Sequence, residues 1–358
     1  MDCWPLLGSE ITAFYLHVEK HEILVVDDQT FILEGMLAGV KATRDMAAVM
    51  TLLDQILEPL GQRLGGLFAA AATSSTTTVS ASVASSEMAR LICIYDNLDH
   101  PLMILTEKMW PLFNQILAQF RGKDDLVERV CRCYKRILRT CGSQFKPFLP
   151  QMVENLLSFY QSDPKSSYLY AGNMVLKYFY ADQSDEMVGI FAKLVHTFAK
   201  TTLPIFQDRA TMQTHPDVIE EFFFLMQRCV KYVPQVLLAP VASSGSSSGG
   251  APLLLDSLFQ CAVLLMGIVL ASVPVSRLEA DYGSIAGVLV QFAKLHGQKL
   301  QEWMAAWFID AMAARPTQPA AVGFLTTDEA NDFQRDLFSS PNERTFRRVV
   351  RHFGQKQK

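Results

Sequence analysis

Period-two alternation is almost missing from this sequence. Its best run, EILVVDD at 22–28, is short, which argues against a sheet-based fold while leaving one candidate strand. Also missing are a G-x-x-x-x-G-K-[ST] loop, a dinucleotide fingerprint and a G-x-S-x-G elbow. Serine, histidine and aspartate are plentiful, but no local spacing ties them into a catalytic set. The expectation is therefore a protein that is not an enzyme and needs no cofactor. There is no excess of positive charge either. A formal net charge of -4 excludes bulk affinity for nucleic acid, so any anion site must be local. The opening residues MDCWPLLG lack the basic and apolar regions of a secretory leader. With an odd count of seven cysteines, this predicts reduced thiols in a cytosolic or nuclear protein.

One long apolar run tests the membrane alternative. LLLDSLFQCAVLLMGIVLASV at 253–273 approaches the length of a bilayer span. It carries Asp256 and Gln260 and has no flanking lysine or arginine, so a buried helix is the better reading.

What the sequence does have is helical periodicity nearly throughout. The spacing predicts helices near 30–42, 45–69, 88–96, 101–121, 124–141, 146–162, 166–179, 185–208, 216–232, 253–272, 284–296, 299–314, 328–339 and 342–353. That is too many for one bundle core. Stacked antiparallel pairs fit, which predicts an all-α, HEAT-repeat α-solenoid over 28–358. Residues 1–27 stay unassigned. Two tracts, 73–86 (TSSTTTVSASVASS) and 241–250 (VASSGSSSGG), lack large side chains and are expected to be flexible loops.

The most informative stretch is LVERVCRCYKRILRTCG at 126–142. On a helical wheel with Arg129 at zero, Arg136, Arg132, Arg139 and Lys135 fall at about 340°, 300°, 280° and 240°. Leu126, Val127, Val130, Cys131, Cys133, Tyr134, Ile137, Leu138 and Cys141 fill the arc from about 40° to 200°. The basic residues thus form one ridge, on which Glu128 is the one carboxylate assigned. Guanidinium groups in a row repel one another unless an anion lies among them, and their forks suit phosphate or carboxylate. Two readings stay open: an anion or acidic-peptide site, and a plain solvated face. Cys131 and Cys133 lie about 160° apart on the wheel, so they read as small core hydrophobes and not as a metal knuckle. HVEKH at 17–21 spaces two histidines at i, i+4, but no third ligand is evident and no metal is expected. A basic C-terminal stretch, with Arg344, Arg347, Arg348 and Arg351, reads as a capping helix.

VERVCRC (127–133), preceded by MWPLFNQIL (109–117), resembles the C-terminal half of transportin-SR-type nuclear import receptors of the karyopherin-β superfamily. FLPQMV (148–153), SSYLYAGNMVL (166–176), QTHPDVIEEFF (213–223) and FRRVVRHF (346–353) follow in the same order, and FILEGMLAGV (31–40) resembles an earlier helix. The resemblance implies a HEAT-repeat importin that carries cargo through nuclear pores, contacts nucleoporins, shuttles between cytoplasm and nucleus, and releases cargo to the GTPase Ran. It further implies that an arginine-rich helix binds arginine/serine-rich, typically phosphorylated, cargo. Arg129, Arg132 and Arg139 match that helix, whereas Lys135 stands in place of an arginine and Arg136 in place of an apolar residue. Direct nucleic-acid and membrane partners are not implied. Receptors of this kind are much longer, and their N-terminal repeats supply the main Ran site. The expectation is a fragment, a truncated gene model or a reduced paralogue that keeps the cargo half. Other readings are a karyopherin with different cargo or an export role, a generic HEAT scaffold, and a membrane-anchored helical protein.

Overall fold

The computed structural model describes residues 4–71, 77–98, 102–120, 122–207, 211 and 214–237, with a few positions between 328 and 348. The described residues form helices and turns, without a strand. They divide into two compact units, Met1–Phe179 and Tyr180–Lys358.

In the first unit the helices are α1 (Trp4–Lys20), α2 (Val26–Ala42), α3 (Met46–Ala71), α4 (Thr77–Asn97), α5 (Leu102–Gln119), α6 (Asp124–Cys141), α7 (Leu149–Ser162) and α8 (Ser166–Phe179). A 3-10 turn, Gly142–Phe148, joins α6 to α7. Each helix buries an apolar stripe at three- and four-residue steps, such as Leu33, Met36, Leu37 and Val40 on α2. Short connections force sequential helices antiparallel, so α1 packs on α2, α3 on α4, α5 on α6 and α7 on α8. The even helices also pack on one another in order, as do α3, α5 and α7. The outcome is a two-layer stack of helix pairs, the expected HEAT-type solenoid. Aromatic rings fix the centre of the stack. Trp110 of α5 lies 5.6 Å from both Tyr134 of α6 and Phe145 of the 3-10 turn, and Phe113 meets Tyr134 edge-on at 5.7 Å. Such pairs add about 0.5–1.5 kcal/mol each beyond their burial.

Three expectations need correction. Residues 22–28 form no strand: Glu22 turns the chain at φ 50°, and α2 begins at Val26. Within the segment left unassigned, α1 occupies Trp4–Lys20. The serine-rich tract 73–86 is not a loop over its whole length, since α4 begins at Thr77. Ala84 of that tract is fully buried, and Ser85 donates a 2.6 Å hydrogen bond to Asp125 of α6. Small residues here let α4 lie close against its neighbour, and that packing overrides their weak helix preference. A similar close approach seats Trp4. A Cβ on Gly39 of α2 would lie 2.8 Å from its ring, as would one on Gly8 of α1.

Inside this unit lies a buried ion cluster that joins four helices. Arg63 of α3 grips both oxygens of Glu87 of α4, at 2.8 and 2.9 Å, and reaches Glu19 of α1 at 2.8 Å. Arg90 of α4 contacts Glu87 at 2.7 Å and Glu19 at 3.2 Å, and donates to Gln29 of α2 at 2.6 Å. The Glu19 and Glu87 side chains are only 3% and 2% exposed. Two carboxylates offset two guanidinium groups, so the cluster is neutral. Burial works against the charge on Arg63, but its bonds to Glu87 and Glu19 outweigh that and raise its pKa. Glu19, the glutamate of HVEKH, faces the two arginines of this cluster and not His17 and His21 as a third ligand.

In the second unit α9 (Asp185–Thr202) packs against α10 (Pro216–Tyr232). Ser184 caps α9 by accepting from the Met187 amide at 3.4 Å. The helix ends at Thr202, short of the expected residue 208, and a 3-10 turn at Leu203–Gln207 follows, because Pro204 cannot continue it. His196 Nε2 donates to the Val236 carbonyl at 2.9 Å and pins the turn after α10. No described helix is long and apolar enough to cross a membrane. The run 253–273, the loop 241–250 and the helices expected at 284–296 and 299–314 lie outside the described residues, as does most of the basic C-terminal stretch.

Candidate functional site

α6 sits in the even layer between α4 and α8, with α5 behind it. Its start is set by Gly122, at φ 79°, and by Asp124 and Asp125 in the first turn, where carboxylates suit the free amides. Asp124 also pairs with Lys165, at the start of α8. Gly142 ends the helix at φ 51° and ψ −129°, a backbone state that side chains other than hydrogen resist. Between these stops the buried residues are Leu126, Val127, Val130, Cys131, Cys133, Tyr134, Ile137, Leu138 and Cys141. These are the nine residues of the apolar arc. Burial pushes the Cys131, Cys133 and Cys141 thiols up, away from the thiolate form that metal or redox chemistry needs. Among the described residues no group of three His, Cys, Asp or Glu side chains could hold a metal ion.

The five basic residues do share the outward face of α6, but most are already engaged. Arg129 donates Nε to both oxygens of Asp125, at 3.2 and 3.3 Å. Asp125 is held below the usual carboxylate range by the Ser85 hydroxyl first; burial opposes this, and Arg129 and then Arg132 add to the lowering. Arg132 donates to Glu128 at 2.5 Å. Arg136 reaches across to Asp96 of α4, at 2.7 Å. Lys135 lies 5.4 Å from the ring centre of Tyr170 on α8. Arg139 is exposed and has no hydrogen-bond or ion-pair partner among the described residues.

The ridge therefore carries more carboxylate than its sequence suggested. Asp125 lies four residues before Arg129, and counting i, i+4 pairs would have found it. Asp96 lies 40 positions from Arg136 on another helix, and no local pattern could reveal it. Lys135 and Arg136, the two departures from the arginine-helix pattern, are the two residues that contact neighbouring helices. The remaining three, Arg129, Arg132 and Arg139, engage only α6 itself or nothing.

Four likenesses bear on this site. Residues 100–207, which contain all of α6, match the family model of the Transportin-3/Importin-13 fourth TPR domain. Over 177 residues the chain is 25% identical to Importin-13 of Homo sapiens, covering 47% of this chain and 16% of that protein. The central part of the chain resembles importin-type nuclear transport receptors. Transportin MOS14 of Arabidopsis thaliana is 25% identical over 152 residues, covering 42% of this chain and 16% of that one. The solved structure of importin13 in its cytosolic state shares the fold at a TM-score of 0.63 and 14% identity, over 99% of this chain and 44% of that one. This chain thus spans less than half the length of its structural relative. A TPR domain is built of stacked helix pairs, which is the architecture of the first unit.

Proposed function

We propose that this chain is the cargo-binding portion of a nuclear transport receptor, and that the outward face of α6 binds arginine/serine-rich cargo in phosphorylated form. It acts by binding, without catalysis. The observation that carries the reading is the row Arg129, Arg132 and Arg139 on an exposed helix face, inside the segment that matches the Transportin-3/Importin-13 model. Each phosphoserine brings close to two charges and three acceptor oxygens, which guanidinium forks take up as charge-assisted hydrogen bonds. Shuttling between cytoplasm and nucleus, passage past nucleoporins and cargo release to GTP-bound Ran belong to the same proposal.

The test is binding of the full chain to an arginine/serine peptide, phosphorylated and unphosphorylated, at two salt concentrations. Tight, phosphate-dependent binding that weakens with salt supports the proposal. Equal or absent binding of both peptides removes it. One observation favours a second reading, a receptor of this class with different cargo. Arg136 and Lys135 are tied to α4 and α8, which narrows the free part of the ridge.

A further inference from the structure

We infer that the outer face of α1 binds a second copy of this chain, as an antiparallel pair of helices about a two-fold axis. The inference stands apart from the cargo reading of α6.

Its first support is a pattern. Trp4, Leu7, Ile11, Phe14 and Val18 recur at steps of three and four, the spacing at which two helices interlock their side chains. Val18 is buried within its own chain, but Leu7, Ile11 and Phe14 are 51%, 38% and 56% exposed. α1 packs on α2, and α2 in turn on α3 and α4, so among the described residues no helix covers this stripe. The outermost pair of a helix stack ordinarily turns polar residues to water, and here it turns leucine, isoleucine and phenylalanine. Area is the second support. Most large apolar side chains exposed among the described residues lie between Leu6 and Phe31, including Ile23 and Val25 at the turn after α1. Together they expose on the order of 600 Å², as much as the largest patch usual on a monomer. Two copies joined there bury about 1,200 Å² or more, which reaches the range of specific interfaces.

Charge is the third support, and it selects the occupant. Glu10 and His17 are exposed and lie about 40° and 60° round the helix from Phe14, on the same side. An antiparallel copy with its Phe14 against Ile11 brings its Val18 level with Leu7 and its His17 against Glu10. The two-fold axis makes each of these contacts twice. The same register carries Leu6 toward the turn of the copy at Ile23 and Val25. A helix of another protein would need the same apolar steps and the same two polar groups in reverse order, which a copy has by construction.

The test is the mass of the full chain in solution, measured by sedimentation equilibrium from micromolar to near-millimolar concentration. The wild type should pass from the mass of one chain to that of two. Phe14→Glu sets a charge in the seam and should weaken the dimer tenfold or more. A thermal melt verifies that its fold is intact, as expected for an exposed position. Glu10→Lys and His17→Glu should each weaken the dimer as well. Glu10→Lys combined with His17→Glu should recover most of the wild-type affinity, because the exchange restores opposite charges. A wild type that stays at the mass of one chain overturns the inference, and leaves the stripe to a helix of another protein or of a longer form of this one. A dimer that Phe14→Glu does not loosen, or that the charge exchange does not restore, overturns the antiparallel seam.

Discussion

Two arginine clusters in the first unit use the same chemistry at different depths. In the cluster of Glu19, Arg63, Glu87 and Arg90 the carboxylates are nearly inaccessible and come from α1 and α4. On α6 they come mostly from the same helix and stand in water. Depth decides what each cluster can do. A buried carboxylate cannot release its guanidinium partner to an outside anion, because separation would leave an unpaired charge out of water. An exposed one can, because water and a ligand compete with its partner on nearly equal terms. The inner cluster is thus a clamp across four helices, whereas the Asp125 and Glu128 pairs of the outer ridge stand in water and can open.

The largest test of this contrast is Glu87→Ala. It leaves Arg63 and Arg90 sharing Glu19, and should cost about 3 kcal/mol or more of stability, read as a fall in the urea midpoint. A midpoint within error of wild type would show that the inner cluster is no clamp. Next comes Arg129→Ala with Arg132→Ala. Phosphopeptide binding should weaken by about 1–3 kcal/mol per lost contact, while the urea midpoint holds. If affinity survives the double change, the ridge has no part in cargo binding.

Glu221 of α10 supplies the case that the two clusters lack, a buried carboxylate oxygen with no hydrogen-bond partner. Burial first, and then Glu220, push its pKa up to about 7, against the pull of Arg228. The folded state favours the protonated form. Its contribution to stability is therefore full below the ordinary carboxylate pKa and is lost as pH rises through about 7. Glu221→Gln should stabilise the protein at pH 8 by about 1–2 kcal/mol and do little at pH 5, as measured by urea unfolding at both values. Equal effects at both pH values would assign the strain to shape and not to charge. The smallest effect is expected for Glu128→Ala, which breaks only an exposed i, i+4 pair. Its unfolding midpoint should move by no more than about 0.5 kcal/mol.

How much of this was readable beforehand varies by element. α6, α8 and α10 begin and end where the periodicity placed them; α6 and α10 each have a single apolar face, whereas α8 is buried all round through Ala171–Leu176. α1 was missed for a definite reason. Its buried side holds Gly8, Thr12, Tyr15, Val18 and Glu19, while Leu6, Leu7, Ile11 and Phe14 are exposed. Residue type points the wrong way there, so no wheel could orient it. The inner cluster was invisible as well. Glu19 and Arg63 are 44 positions apart, and each looks like an ordinary surface charge until the helices stack.

By itself the sequence determined most of the described helices and the split of α6 into an apolar arc and a basic ridge. These depend on periodicity and on turn chemistry, which act over a few residues. Only the tertiary structure decided which charges are buried, which arginines already hold a carboxylate, and that Arg139 among the described ridge residues holds none. Those outcomes depend on groups brought together from helices tens of residues apart, and on how much water is left around them.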